Sequence, residues 1–419
     1  MLINGGWYLL GREESAVEAV DALREIAFQL ERAAEPTYRV RAFRRAAQVV
    51  DGLPAGELEK RVRDGTLEAL PGIGKVTAEV ITEATAGQQP AYLARLLAEA
   101  PPSESTALRA ALRGDCHTHS DWSDGGSPPA EMAAAARDLG HEWVALTDHS
   151  PRLTVASGLT AERLEEQLDL VSRLNAELAP FRMLTGIEVD ILDDGSLDQT
   201  DELLGRLDVV VASVHSQLRM PSGPMTARMI AAVSSPHVDV LGHCTGRLLA
   251  GRGRPESAFD APQVFAACRG HGVAVEINCR PERRDPPDNL LRLAAEMGCL
   301  FAIDSDAHAP GQLDWLDYGC VRAEGMGIPP GRIINTRGGQ PVHDVCALAL
   351  IAAPALFGFE PARVEVETQG RWTAGMTVTD FAAPASGHNA LVAMSVEVAG
   401  FWDLVLGAWQ RVSAVMARR

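Results

Sequence analysis

Seven short apolar segments, most of them separated by helical stretches, constrain the fold of residues 113–336 more than any other feature of the chain. The apolar segments span 112–117, 143–148, 183–189, 209–214, 238–242, 273–277 and 300–303. Helical periodicity fills most of the intervals, for example 128–139, 161–178 and 287–297. Strands that alternate with helices pair in parallel, so the pattern predicts an α/β barrel or an open sheet covered by helices.

Side chains that bind metals follow six of the seven predicted strands. They are His117, His119, Asp124, His149, Glu188, His215, His243, Asp306 and His308. The carboxyl ends of parallel barrel strands meet at one rim, so these groups are expected to converge. Imidazole nitrogens and carboxylate oxygens are ligands of Zn²⁺, Mn²⁺ and Fe²⁺. Nine ligands exceed the needs of one tetrahedral ion and predict a cluster of two or three, although a single histidine at a strand end is more often structural.

Composition excludes several classes of protein. The chain has 419 residues, 46 % of them apolar and 22 % charged, as in globular proteins. Its longest nearly apolar run, 345–359, is shorter than the roughly 20 residues that span a bilayer. The start shows no signal-peptide pattern, so we expect a cytoplasmic protein. The seven cysteines form no CxxC pair, which argues against a disulfide framework and a cysteine-type zinc finger.

The front segment, 14–100, is predicted to be all-helical and to carry a phosphate-binding hairpin. Residues 70–75 read Leu-Pro-Gly-Ile-Gly-Lys, in which two glycines permit a tight turn before a helix whose free N–H groups can face a phosphate. The candidate DNA-binding residues are Gly72, Gly74, Lys75, Arg41 and Arg44. A hairpin that only packs two helices is the alternative. The net charge is −18 for the whole chain, but residues 1–113 have 14 basic and 16 acidic side chains, a net charge of only −2, so DNA binding is expected to be weak and salt-sensitive.

The metal-type residues lie in motifs that resemble the polymerase and histidinol phosphatase (PHP) domain. The motifs are His117-Thr-His119, Ser123-Asp124-Gly125, Thr147-Asp148-His149, Gly186-Ile187-Glu188, Ser213-Val214-His215, Gly242-His243 and Asp306-Ala307-His308. The resemblance covers about 113–336 and implies a distorted seven-stranded (β/α) barrel with up to three divalent ions.

The resemblance also implies which residues share each ion. His117, His119, Glu188 and Asp306 would hold the first ion. Glu188 would bridge to a second ion, held also by His215 and His243. Asp124, His149 and His308 would hold the third.

A metal-dependent phosphoesterase is the activity that these features predict. Paired ions can polarise a phosphoryl oxygen and generate hydroxide near neutral pH, so no protein nucleophile is needed. We expect Glu188 and Asp306 to be catalytic. Among the candidate phosphate-binding arginines, Arg152, Arg219, Arg280 and Arg283, the preferred one is Arg280 because it follows the sixth strand directly.

The front segment is similar to the small amino-terminal domain of bacterial family X DNA polymerases, most clearly over residues 38–47. Those enzymes carry palm and thumb domains between this domain and their PHP domain. Here the linker 100–113 leaves no room for a palm, so polymerase activity is excluded. Val80 occupies the position where that family's lyase lysine would fall, which argues against lyase activity.

The last segment, 337–419, resembles the carboxy-terminal end of nucleoside hydrolases. The matching stretches begin at Gln340-Pro341-Val342-His343-Asp344, Trp372-Thr373-Ala374-Gly375 and Gly400-Phe401-Trp402. We expect a small α+β tail with helices near 345–356 and 401–416 and β-rich stretches at 363–369 and 390–398. One carboxylate cannot supply the six to eight oxygens that Ca²⁺ prefers, so the tail is interpreted as a non-catalytic fragment.

The sequence therefore predicts hydrolysis of phosphate esters, with DNA 3′ ends as substrate for a 3′–5′ exonuclease or 3′-phosphatase in DNA repair. One alternative is a small-molecule phosphomonoesterase of the histidinol-phosphatase type. Another is a non-catalytic DNA-binding accessory protein, and a third is nucleoside hydrolysis by the tail. A membrane partner is not expected. Metal identity, physiological substrate and oligomeric state stay open.

Overall fold

The computed structural model describes residues 14–99, 106–336, 353–366, 377–380, 390–396, 400 and 404. The chain divides into two compact units, Met1–Gly339 and Gln340–Arg419. Among the described residues, every helix is too short or too polar to traverse a lipid bilayer.

Five α-helices form the front of the first unit, which confirms the predicted all-helical segment. They are α1 (Glu14–Arg32), α2 (Thr37–Asp51), α3 (Glu57–Asp64), α4 (Lys75–Thr85) and α5 (Ala91–Glu99). Their apolar faces, spaced three and four residues apart, make a core of their own that includes Leu23, Phe43 and Ile81. Gly72 has φ of 99°, a left-handed conformation that lets the chain turn tightly into α4.

Seven parallel strands follow, in the same order in space as in the chain. They are β1 (Gly114–Thr118), β2 (Trp143–Leu146), β3 (Arg182–Asp190), β4 (Val209–Ser213), β5 (Val240–Leu241), β6 (Ala274–Asn278) and β7 (Phe301–Asp304). The seven predicted strands are confirmed. The segments after β1 and β7 also meet, because the His119 amide donates to the Ala307 carbonyl at 2.8 Å. The sheet therefore curls into the nearly closed, distorted barrel that the PHP resemblance implies.

Helices connect the strands and cover the outside of the barrel. They are α6 (Ala107–Ala111), α7 (Pro129–Asp138), α8 (Ala161–Leu178), α9 (Asp201–Leu204), α10 (Ser222–Val233), α11 (Ala261–His271), α12 (Asp288–Glu296) and α13 (Leu316–Gly325). Alternate residues of each strand face opposite sides, so Val211 packs inside with Trp143 whereas Val210 packs with the covering helices. Both faces are buried, and functional side chains are left to the ends of the strands.

The described part of the second unit is a three-stranded antiparallel sheet. It contains β8 (Phe357–Val366), β9 (Thr377–Asp380) and β10 (Ala390–Val396) in the order β10–β8–β9. The two predicted β-rich stretches correspond to β8 and β10, whereas β9 was not predicted. Pro354–Leu356 forms a short 3₁₀ helix at the end of one predicted helix. The described residues do not include 345–352 of that predicted helix, His343, Asp344, Trp372 or nearly all of 401–416.

Candidate metal centre

Glu188, at the carboxyl end of β3, lies in the middle of the predicted metal ligands. Its Oε2 atom is 3.3 Å from Nε2 of His117, 3.5 Å from Nε2 of His119 and 2.9 Å from Nδ1 of His149. These three histidines come from the ends of β1 and β2. The parallel register brings them onto one side of a single buried carboxylate.

The second oxygen of Glu188 faces the other side of the rim. Its Oε1 atom is 3.2 Å from Nε2 of His215 and 2.9 Å from Nε2 of His243. These histidines follow β4 and β5, the next strands around the barrel. One carboxylate therefore presents separate oxygens to two sets of imidazoles, which is the geometry of a bridging ligand.

Two further carboxylates complete the cluster. Oδ1 of Asp306 is 3.4 Å from Nε2 of His119, and Oδ1 of Asp124 is 3.4 Å from Nε2 of His308. The Asp124 side chain is 37 % exposed, so this corner is the most open part of the cluster. All nine predicted ligands are thus brought together at the rim.

The distances suggest a different grouping of one ligand. Three sets of ligand atoms lie within 4.8 Å of one another: His119, Asp124, His149 and His308; His117, His119 and Glu188; and His149, Glu188 and His215. The resemblance places His149 only with Asp124 and His308. In the structure its Nδ1 faces Glu188 whereas its Nε2 is 3.5 Å from Asp124, so the ring lies between two groups.

The donor set fits divalent transition-metal ions. Oε2 of Glu188 is buried and has no hydrogen-bond partner among the described residues, although three ring nitrogens surround it. Ligands bound at 2.0–2.1 Å in a tetrahedral shell are about 3.3 Å apart, which matches the spacing of these atoms. An ion between them would satisfy the orphaned oxygen together with Nδ1 of His149, which also lacks a hydrogen-bond partner among the described residues.

Charges within the cluster keep its carboxylates ionised. Burial acts to raise the pKa of Glu188, but His117, His215 and His149 hold that pKa well below its usual range. Burial is likewise outweighed at Asp306, where Arg280 and His117 lower the pKa of the carboxyl group. Both groups therefore carry the negative charge that a cation requires.

The histidines of the cluster differ from one another. Burial lowers the pKa of His119 well below its usual value, and the charges of His308 and His149 add to this effect. For His215 burial is outweighed by Glu188 and Asp190, which raise the pKa to about 9. An imidazole must lose its proton before it can bind a metal, so metal binding at this rim releases protons.

A buried layer of polar side chains orients the ligands, and the sequence reasoning missed it. Glu276 on β6 is fully buried; its Oε1 is 2.5 Å from Nδ1 of His117, and its Oε2 accepts the His243 amide. The bond at Nδ1 leaves Nε2 of His117 directed at Glu188. A glutamate within the otherwise apolar sequence Ala-Val-Glu-Ile was the signal that could have identified this residue.

Asp148 supports the loop that carries Asp124. It accepts hydrogen bonds from the Ser120 amide at 2.8 Å and from the Gln167 side chain at 2.7 Å. The ligand Asp306 has φ of 52°, in the left-handed region that costs a residue with a β-carbon about 1 kcal/mol. The barrel thus holds both ligand segments in defined conformations.

Among the candidate phosphate-binding arginines, the structure favours Arg283 over Arg280. Arg280 donates to Glu282 at 2.8 Å and lies 2.8 Å from Nδ1 of His308, so its guanidinium is already engaged. Arg283 lies 3.3 Å from Asp306, and its Nε and Nη1 atoms have no hydrogen-bond partner among the described residues. Arg152 and Arg219 are exposed. Both of these donor atoms are buried beside the ligand Asp306, and the candidate role of Arg283 rests on their lack of a hydrogen-bond partner.

The hairpin residues lie on the surface of the front helices, apart from one. Gly72, Gly74, Lys75 and Arg41 are exposed. Arg44 instead forms a bidentate ion pair with Glu31 and a second pair with Glu131 of α7, so its guanidinium is already engaged by carboxylates, which weighs against the predicted contact with DNA. Lys75 shares a shallow cleft with Glu68, Glu79 and Glu83, whose charges oppose a nucleic-acid backbone.

Three family models match successive parts of the chain. The helix-hairpin-helix domain matches residues 16–89, the PHP domain 115–280, and the inosine-uridine preferring nucleoside hydrolase 325–403. These matches confirm the three resemblances drawn from the sequence.

Curated proteins of similar sequence agree with the helix-hairpin-helix and PHP matches. The DNA polymerase/3′-5′ exonuclease PolX of Bacillus subtilis is 40 % identical over 226 residues, which cover 54 % of this chain and 39 % of that protein. The chain therefore spans about two fifths of that relative. A probable phosphatase of Caldicellulosiruptor saccharolyticus is 30 % identical over 49 % of this chain and 83 % of its own length.

A solved histidinol phosphate phosphatase from Lactococcus lactis is 18 % identical, with a TM-score of 0.40 over 52 % of this chain and 94 % of its own. The family match and the Caldicellulosiruptor relative are the stronger findings, and both concern the region that supplies the rim. With its nine motif residues gathered there, the chain belongs to the PHP domain family, a family of metal-dependent phosphoesterases.

Proposed function

We propose that the rim of the barrel hydrolyses phosphate esters and that its substrates are the 3′ ends of DNA. The observation that supports the chemistry is the position of Glu188, whose two oxygens face His117 on one side and His243 on the other at 3.3 and 2.9 Å. Such an arrangement suits two ions that share one carboxylate. Hydrolysis would break a phosphorus–oxygen bond by addition of water, which releases an alcohol together with a nucleotide from a diester or with inorganic phosphate from a monoester.

The proposed ligands follow the predicted sets, with His149 able to serve either of its neighbours. When bound, divalent ions polarise a phosphoryl oxygen and lower the pKa of water, as in other metal-dependent phosphatases. Glu276 keeps His117 in the tautomer that directs Nε2 at the ions. The guanidinium of Arg283 binds a phosphoryl oxygen and so orients the ester.

The helical front supports DNA as the substrate. Gly72, Gly74 and Lys75 form an exposed turn at the start of α4, where backbone N–H groups can bind one phosphate. Arg41 is exposed as well. The name of the Bacillus relative includes a 3′-5′ exonuclease, and this relative is 40 % identical over 226 residues. The acidic cleft around Lys75 limits the affinity, so binding should weaken steeply with salt.

A direct test compares two classes of substrate with the full chain and Mn²⁺. We expect release of nucleotides or phosphate from a single-stranded oligonucleotide 3′ end, with much lower turnover of a small phosphomonoester. Protein stripped of metal by a chelator is the control and should recover activity when Mn²⁺ returns. Turnover of the small ester alone would contradict the DNA role, and inactivity on every ester would contradict the proposed chemistry.

Arg283→Met tests the proposed role of this side chain in phosphate binding. Loss of one charged donor should raise KM by about tenfold or more for either substrate, because hydrogen bonds to charged groups contribute about 1.5–3 kcal/mol. The exposed Arg152 provides the matched control as Arg152→Met. Equal effects of the two substitutions on KM would show that Arg283 has no specific role in phosphate binding.

A small phosphomonoester remains the second candidate substrate. Several relatives named probable phosphatase match over most of their own length, for example 91 % of a Thermoanaerobacter protein that is 29 % identical. The barrel alone is therefore close to a whole protein in that group. The substrate comparison above separates this candidate from the first.

A further inference from the structure

A chain of polar contacts crosses from the barrel into the front helices and back. Glu31, at the end of α1, is buried and accepts the Gly311 amide at 2.9 Å. The same carboxylate binds Arg44 of α2 through Nε at 2.8 Å and Nη2 at 2.9 Å. Arg44 then donates from Nη1 to Glu131 of α7 at 3.0 Å. We call this series Gly311–Glu31–Arg44–Glu131 the interdomain bridge.

Both ends of the interdomain bridge attach to segments that carry metal ligands. Gly311 lies in the 3₁₀ helix Pro310–Trp315, which begins two residues after His308. The side chain of Gln312 in this helix accepts the His308 amide at 2.7 Å. Glu131 lies in the first turn of α7, which follows the loop of Asp124. The bridge thus spans the two segments that form the most open corner of the cluster.

The contact is close enough to fix the 3₁₀ helix against α1. A β-carbon at Gly311 would lie 2.1 Å from the Phe28 carbonyl oxygen, so the two backbones touch directly. The Trp315 ring donates to the Arg32 carbonyl at 2.8 Å, and Arg32 pairs with Asp314 at 2.6 Å. The Gly126 amide also donates to the His308 carbonyl at 2.7 Å, which joins the two ligand segments beside the cluster.

We propose that Glu31 and Arg44 are positioning residues of the metal centre, because they hold the Asp124 and His308 segments at the spacing of a shared ion. The front helices are then part of the scaffold of the catalytic rim. This inference rests on the proposed ligand set and is independent of the choice of substrate. Asp124 is the ligand with the greatest exposure, so the ion at this corner depends most on such support.

Metal binding by the full chain tests the proposal. Arg44→Met removes the bridge but keeps the aliphatic stem, and we expect the affinity for the most weakly held Mn²⁺ to fall about tenfold, as when groups behind metal ligands are lost. The ions around Glu188 should remain. Equilibrium dialysis with elemental analysis gives both quantities.

Two control variants separate bridging from simple docking. Arg61→Met removes an ion pair between Arg61 and Glu57 on α3, away from the barrel. Arg32→Met breaks an interdomain pair that reaches only the 3₁₀ helix. Any of three results would overturn the proposal. Arg44→Met could bind Mn²⁺ as the wild type does, it could lose all ions equally, or Arg32→Met could weaken Mn²⁺ binding as much as Arg44→Met does.

A second readout needs no metal. In metal-free protein, amide hydrogen exchange over residues 306–312 should be several-fold faster in Arg44→Met than in Arg61→Met, and equal rates would overturn the proposal.

If Arg44→Met does not fold, Glu31→Gln replaces it. Weaker binding of the most weakly held ion would then support the proposal, and unchanged binding would overturn it. Wild-type protein that binds no Mn²⁺ would instead refute the proposed function.

Discussion

The metal rim and the hairpin were both recognised from short motifs, yet the structure specifies them to very different degrees. At the rim, Glu188 is 1 % exposed and lies within 3.5 Å of ring nitrogens from the ends of four strands. At the hairpin, Gly72 and Lys75 are exposed, and Lys75 borders a cleft lined by glutamates. Parallel strands impose a common end point on residues that are distant in the sequence, whereas a surface turn brings together only residues that are close in the sequence.

The largest effect should follow from Glu188→Gln. The substitution keeps the size of the side chain but removes the charge that two sets of histidines share, so we expect more than about a hundredfold loss of metal affinity and activity. Elemental analysis and an ester assay measure both. Retention of the full metal content would show that the rim is less dependent on its central carboxylate than the geometry indicates.

Glu276→Gln should have the next largest effect. The new amide would bind Nδ1 of His117 more weakly and would no longer fix the tautomer of that histidine. Metal affinity should therefore fall about 10- to 100-fold. Glu165→Gln, at an exposed ion pair with Arg206, is the matched control and should bind metal normally. A similar result for the two variants would mean that Glu276 only fills space.

A buried histidine at the opposite end of the barrel should make the stability of the protein fall at acidic pH. His141, just before β2, is buried, and neither ring nitrogen has a hydrogen-bond partner among the described residues. Burial, with a smaller contribution from Arg109, lowers its pKa to about 3. The unfolded chain therefore binds the proton more readily below pH 6.5, and stability falls as the pH drops from 6.5 towards 3.

His141→Phe should remove part of that pH dependence. We expect the difference in free energy of unfolding between pH 7 and pH 5 to shrink by roughly 1–2 kcal/mol relative to the wild type. Urea unfolding of metal-free protein at both pH values measures it. An unchanged difference would show that His141 is hydrated or paired in solution.

The smallest effect belongs to the hairpin. Lys75→Ala removes one phosphate contact, so DNA binding should weaken only several-fold and the salt slope should decrease by about 1. Lys60, the other lysine of the chain, is exposed on α3 and gives the matched control Lys60→Ala. Turnover of a small ester should be unaffected by either substitution, and a loss there would link the hairpin to the rim directly.

The barrel was predictable because strand and helix periods alternate regularly and because its ligands occupy strand ends. All seven strands and the convergence of the nine ligands follow from those two patterns. The interior glutamate of β6 was not predicted, since one acidic residue in an apolar strand does not say what it will face. Likewise Arg44 looked like its exposed neighbour Arg41, and only the approach of α7 with Glu131 shows that it serves the interface.

The direct contact between α1 and the 3₁₀ helix after His308 has a consequence for polymer substrates. The contact fixes the distance between the hairpin and the rim. A DNA strand that touches both must therefore have a minimum length and must enter with one polarity. Under the proposed function, turnover would rise abruptly at a threshold oligonucleotide length, whereas a freely tethered domain would give a gradual rise.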